Sequence, residues 1–99
     1  MDQTIIDKVK LYADIVRKTM PVKKVILYGS HARETDHVNS DIDIAIIVDG
    51  IEGDYLELCA RLYELVREVD LRIEPVLLNE SADKSGFIDR IMSYGKEIH

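Results

Sequence analysis

Two acids straddle a single isoleucine at the start of a β-branched run, Ser40-Asp41-Ile42-Asp43-Ile44-Ala45-Ile46-Ile47-Val48. Such a run fits a pleated and largely buried surface, so Ile42 to Val48 is predicted to be a strand. Side chains alternate across a strand, which sets Asp41 and Asp43 on one face and Ile42 and Ile44 on the other. Neighbouring carboxylates repel each other and resist desolvation, an arrangement that a purely structural role rarely needs. A divalent cation removes the conflict, and Mg²⁺ favours a few carboxylates combined with substrate phosphates. Upstream, Lys24-Val25-Ile26-Leu27-Tyr28 reads as another buried strand that ends at Gly29-Ser30. Gly29 lets a phosphate approach the backbone, and Ser30 adds a hydroxyl donor at the start of a short helix. Alone, that dipeptide reads as a turn with a helix cap. Together with Asp41 and Asp43 it points to metal-assisted phosphoryl or nucleotidyl transfer.

The rest of the chain supplies a scaffold for that pair of strands. Ile5, Val9, Tyr12 and Val16 recur at helical spacing, with Ile6, Ala13 and Met20 widening the stripe over residues 4–19. Pro21 stops this helix. The segment from Glu34 to Asn39 reads as a polar loop. Asp54 and Glu57 resemble a capping box that opens a helix over 55–69, whose stripe is Leu58, Leu62, Leu65 and Val69, supported by Tyr55, Cys59 and Val66. A third strand is predicted over 71–78, then a polar loop from Ser81 to Lys84 and a last helix over 85–94 ending at Gly95. The order αβαβαβα with short connections implies an α/β packing of helices on one sheet, in two or three layers, within a single domain spanning 1–99.

Composition excludes several classes of function. Thirteen basic residues stand against nineteen acidic ones, for a net charge of −6, and no basic stripe is present. Independent nucleic-acid binding is therefore not expected. The lone Cys59 can form no internal disulfide, which suits a reducing cytoplasm, and it reads as a small core residue. No apolar run approaches the ~20 residues that span a bilayer, so no membrane association is expected.

Gly29-Ser30-x-Ala32-Arg33 followed by Ser40-Asp41-x-Asp43 resembles the signature of the DNA polymerase β nucleotidyltransferase superfamily, and the short length resembles its minimal nucleotidyltransferase (MNT) domains. Many members carry Gly after the Arg, where this chain has Glu34. The resemblance implies a small mixed sheet with helices packed on it, similar to the polymerase β palm. It implies transfer of an NMP, AMP foremost, from ATP or another NTP to a hydroxyl of a protein or small molecule, with release of pyrophosphate. Asp41 and Asp43 would hold two Mg²⁺ ions, and Gly29, Ser30, Arg33 and Ser40 would bind nucleotide. Arg33 either contacts the triphosphate or pairs with Glu34 or Asp36. Ser40 either supports Asp41 or touches nucleotide directly. His31 reads as a solvated loop residue with no part in catalysis.

A third catalytic and metal-binding carboxylate is also implied, and Asp70 and Glu74 are the candidates. Asp70 can simply end a helix or cap a turn. Glu74 is an isolated acid inside Leu71-Arg72-Ile73-Glu74-Pro75-Val76-Leu77-Leu78, and Pro75 holds it extended on a strand that must be irregular or at an edge. The Arg-Ile-Glu-Pro pattern resembles members with Glu at this site, which favours Glu74. Arg72, on the same predicted face, would pair with Glu74 or bind phosphate. MNT proteins are often paired with a helical HEPN-domain partner, so a second reading is an antitoxin that neutralises such a partner, with catalysis secondary or absent.

Overall fold

A computed structural model describes residues 3–33, 40–83 and 85–99. The helix α1 (Gln3–Thr19) leads into strand β1 (Lys24–Tyr28) and the five-residue helix α2 (Gly29–Arg33). Strand β2 (Ile42–Val48), helix α3 (Tyr55–Val66), strand β3 (Ile73–Asn79), helix α4 (Phe87–Tyr94) and strand β4 (Lys96–Glu97) follow. The sheet order is β3-β2-β1-β4; β1 runs antiparallel to β2 and β4, and β2 runs parallel to β3. The sheet is thus mixed, with Pro75 on an edge strand that tolerates a missing donor.

Each face of the sheet carries its own core. Ile42, Ile44, Ile46 and Val48 pack with Val25, Leu27, Ile73 and Leu77 against Ile5, Val9, Tyr12 and Val16 of α1 and Leu62 and Val66 of α3. Ile26, Ala45 and Ile47 pack on the opposite face against Ile88 and Ile91 of α4. A one-residue slip of β2 would turn its isoleucines away from α1, at about 1.5–3 kcal/mol for each large side chain exposed. The core therefore fixes the register that positions Asp43. Buried Tyr12 ties α1 to α3 by donating to the Leu62 carbonyl at 2.7 Å. Among the described residues, no helix is long and apolar enough to cross a membrane.

Several expectations need adjustment. Strand β3 begins at Ile73, because Arg72 is drawn into a turn by Asp70. Helix α3 ends at Val66, and only Leu62 and Val66 are buried along it; Leu58, Leu65, Val69 and Cys59 are half-buried, and Tyr55 is exposed. The reason is its position: Tyr55 donates to the Leu77 carbonyl of edge strand β3 at 3.0 Å, so part of α3 covers a strand edge. Asp54 does cap α3, accepting the Leu56 N–H at 2.9 Å. The loop expected from Ser81 begins within a 3₁₀ turn, Glu80–Ala82, and its end at Lys84 lies outside the described residues. Strand β4 has no counterpart in the sequence reading, since two exposed polar residues carry no periodic signal. The Glu34–Asn39 loop lies outside the described residues.

Candidate active site

Backbone register places Tyr28 of β1, Asp43 of β2 and Glu74 of β3 directly opposite one another, in a single row across three strands. The row lies on the α4 face, beyond the apolar rows that α4 covers. Asp41 stands exposed just ahead of β2 and acts on Asp43 through its charge. Burial, then the charges of Asp41 and Glu74, hold the Asp43 carboxyl above the ordinary carboxylate range, with His31 opposing them. Burial pushes the neighbouring Tyr28 phenol up to about 12, and the Asp43 charge adds to the effect.

Gly29 closes this row from the side. Its φ of +74° is a conformation that L side chains rarely adopt, and a Cβ there would lie 2.1 Å from Asp43 Oδ2. The glycine thus does two things: it makes the sharp exit from β1, and it leaves room for the carboxylate. Its N–H donates to the Tyr94 hydroxyl at 3.3 Å, and the Arg33 guanidinium lies 4.1 Å from the Tyr94 ring centroid. Tyr94, at the end of α4, is a site neighbour that the sequence reading missed. Ser30 is half-buried beside Gly29. Glu34 and Asp36, the acids considered for Arg33, lie outside the described residues.

His31 contradicts the expectation of a solvated loop residue. It is 3% exposed, on α2, with Nε2 3.4 Å from the carbonyl of Ser40, itself buried. A five-residue helix is too short to show a periodicity from which its inward face could be read. The contact ties α2 to the residue that precedes Asp41.

The two candidates for the third carboxylate separate clearly. Asp70 accepts from Lys8 Nζ at 2.7 Å, from Arg72 Nη2 at 2.9 Å and from the Arg72 backbone N–H at 2.8 Å. Arg72 therefore pairs with Asp70 from a turn ahead of β3, which corrects its expected place on the strand face beside Glu74. These bonds, the Arg72 guanidinium first, hold the Asp70 carboxyl well below the ordinary range. Such a group stabilises the fold above its unfolded pKa of about 3.9, and that contribution is lost as pH falls toward the folded value. Asp70→Asn is accordingly expected to lose about 1–3 kcal/mol at neutral pH, the scale of hydrogen bonds to a charged group. Urea melts at a series of pH values should show the deficit shrinking below pH ~4. Glu74, by contrast, is exposed and accepts a hydrogen bond from the Tyr63 hydroxyl at 3.3 Å.

Among the described residues, no three His, Cys, Asp or Glu side chains are already gathered as a metal-ligand group. Backbone register sets Asp43 opposite Glu74, and Asp41 precedes β2 near enough for its charge to act on Asp43. Their hard oxygen donors and the raised Asp43 carboxyl are what a divalent cation would neutralise, so the residues fit such an ion. Tyr28, Tyr63, Tyr94 and His31 are the neighbours that sequence reasoning did not assign. Tyr63 and Tyr94 carried no signal, because both lie in helical stretches far from the motif in sequence.

The sequence pattern of the family described as "Polymerase beta, Nucleotidyltransferase" matches residues 10–99. A Methanocaldococcus jannaschii protein provisionally named a protein adenylyltransferase, MJ0141, is 33% identical over 79 residues, covering 76% of this chain and 77% of that protein. The fold matches a provisionally assigned nucleotidyltransferase crystal structure from Sulfolobus solfataricus with a TM-score of 0.67 at 22% identity, covering 94% of this chain and 78% of the other. It also matches a toxin–antitoxin structure with AMP-PNP, with a TM-score of 0.63 at 21% identity, covering 91% of this chain and 72% of the other.

Proposed function

This chain belongs to the polymerase β nucleotidyltransferase family, and on that premise we propose that it transfers AMP from ATP to a hydroxyl group of a protein, releasing pyrophosphate. The observation that carries this reading is the register setting Asp43 opposite Glu74, beside a glycine with no side chain to displace the carboxylate. The adenylyltransferase name of the 33%-identical relative supports ATP as donor and a protein as acceptor.

Asp41, Asp43 and Glu74 would hold two Mg²⁺ ions, whose chemistry is to neutralise the triphosphate and sharpen the acceptor oxygen as a nucleophile. The protein's own contribution is positioning and charge placement. The Gly29 N–H, now donated to Tyr94, and the Ser30 hydroxyl offer hydrogen bonds to phosphate oxygens. Arg33, exposed above Tyr94, carries a positive charge toward the same end of the site. Buried Ser40 and His31 brace the backbone ahead of Asp41. Glu74 accepts the hydrogen bond of the acceptor hydroxyl and takes up its proton as the oxygen attacks the α-phosphorus. Pyrophosphate leaves on the opposite side.

Glu74→Gln should therefore remove transfer while leaving Mg²⁺-ATP binding within about threefold, because Glu74 serves the acceptor rather than the triphosphate. Calorimetry and a pyrophosphate-release assay on the same preparation separate the two effects. Loss of binding in parallel with loss of transfer would contradict the assignment.

A second reading has a specific observation behind it, the toxin–antitoxin complexes among the structural neighbours. In that reading the chain is an antitoxin that neutralises a HEPN-type partner. Co-purification with a candidate partner, followed by Mg²⁺-ATP and weighing of both chains, tests the two readings together. A partner heavier by AMP supports transfer. A stable complex without added mass supports neutralisation by binding alone.

A further inference from the structure

Among the described residues, Tyr63 is the tyrosine that offers its hydroxyl to an acid of the candidate site. Tyr12 and Tyr55 donate to backbone carbonyls, Tyr94 accepts from Gly29, and Tyr28 lies edge-on to Phe87. Tyr63 is 52% exposed, on α3, and its side chain reaches the strand edge that Tyr55 also covers two turns earlier. The 3.3 Å contact with Glu74 Oε2 is long for a hydroxyl on a carboxylate, so the group is held near the acid without being locked to it. Contacts of this kind often tighten only when substrate is bound.

We propose that Tyr63 is itself an acceptor and that the chain adenylylates its own Tyr63 hydroxyl. The inference rests on the adenylyl-transfer reading above, which requires an acceptor hydroxyl on Glu74; a tyrosine hydroxyl of the same chain already stands there. In the step, the bond between Tyr63 Oη and the α-phosphorus of ATP forms. The bond from that phosphorus to the oxygen bridging the α- and β-phosphates breaks, and pyrophosphate departs with its electron pair. The phenolic proton passes to Glu74 and then to water. The product is a tyrosyl-AMP phosphodiester on α3, one per chain. It leaves Glu74 without the hydroxyl it held and places an AMP group at the acceptor entrance, so self-modification limits transfer to other acceptors.

Trypsin supplies a clean readout, since cleavage after Arg61 and Arg67 frees Leu62–Arg67, in which Tyr63 is the sole hydroxyl-bearing side chain. The full chain is incubated with Mg²⁺ and ATP at two protein concentrations, then weighed intact and mapped. The expected result is a gain of one AMP located on that peptide, at a first-order rate independent of protein concentration. Tyr63→Phe should carry no label yet keep the thermal shift produced by Mg²⁺-ATP, which shows that it folds and binds nucleotide.

Label at another residue, equal labelling of Tyr63→Phe, or a rate that rises with protein concentration would overturn the proposal. An unlabelled wild-type chain that still transfers AMP to an added tyrosine-containing peptide would overturn it and leave the adenylyl-transfer reading standing. A wild-type chain with neither transfer nor a thermal shift from Mg²⁺-ATP would overturn both.

Discussion

Replacing Asp43 by asparagine is expected to reduce nucleotidyl transfer by about a thousandfold while leaving the metal-free fold as stable as before, or more so. Asp43 sits between two other acids, Asp41 in the chain and Glu74 across the strand pair, and burial adds to the difficulty of ionising it. Like charges facing each other across strands destabilise by roughly 0.2–1 kcal/mol, so removing one should raise stability by a similar amount. The backbone of β2 is held by Ile42, Ile44 and Ile46 on the opposite face, which the substitution does not touch. Melting without Mg²⁺ should therefore stay level or rise, and the stabilisation by Mg²⁺ plus ATP should vanish. A drop in metal-free stability would mean that Asp43 is a structural acid whose partners have been misidentified.

Gly29→Ala should produce the second largest effect, and for two reasons that can be separated. Its φ of +74° makes any Cβ unfavourable, by about 1–2 kcal/mol. The added carbon also falls 2.1 Å from Asp43 Oδ2, so the carboxylate must move out of the row it shares with Glu74. A loss of about 4–8 °C in Tm per kcal/mol is expected for a domain of this size, together with loss of transfer in the fraction that folds. In an Asp43→Ala background the clash with the carboxylate disappears, leaving the backbone part and a 3.2 Å contact with the remaining Cβ. The double-mutant cycle should therefore be non-additive. Strict additivity would show that Gly29 serves the turn alone.

Much of this arrangement was legible in the chain because strands impose a period of two. The run from Ile42 to Val48 declared its length and its buried face. Pro75 declared a strand either irregular or at an edge, and β3 is at the edge. The spacing of Ile5, Val9, Tyr12 and Val16 declared α1. Less legible was whatever depends on contacts between distant segments. Asp70 and Glu74 are both acids near the start of one strand, and nothing local reveals that Lys8, sixty-two residues away, claims the first of them. Arg72 was misread for the same reason: strand alternation assigned it a face, but it belongs to a turn that Asp70 closes. His31 and Tyr94 come to the site through a one-turn helix and a helix terminus, which carry no periodic signature. Strand direction leaves no residue pattern, so the mixed sheet follows only from the family resemblance.

Nucleotide binding through Mg²⁺ by Asp41 and Asp43, with the turn at Gly29, underlies every step proposed for this site. Titrating a non-hydrolysable ATP analogue into the wild-type chain by calorimetry, with and without Mg²⁺, tests it most directly. Repeating the titration on Asp41→Asn/Asp43→Asn completes the comparison. Saturable binding at one site per chain is expected, dependent on Mg²⁺ and lost in the double variant. Equal binding with and without Mg²⁺, or undiminished Mg²⁺-dependent binding in the double variant, would contradict it.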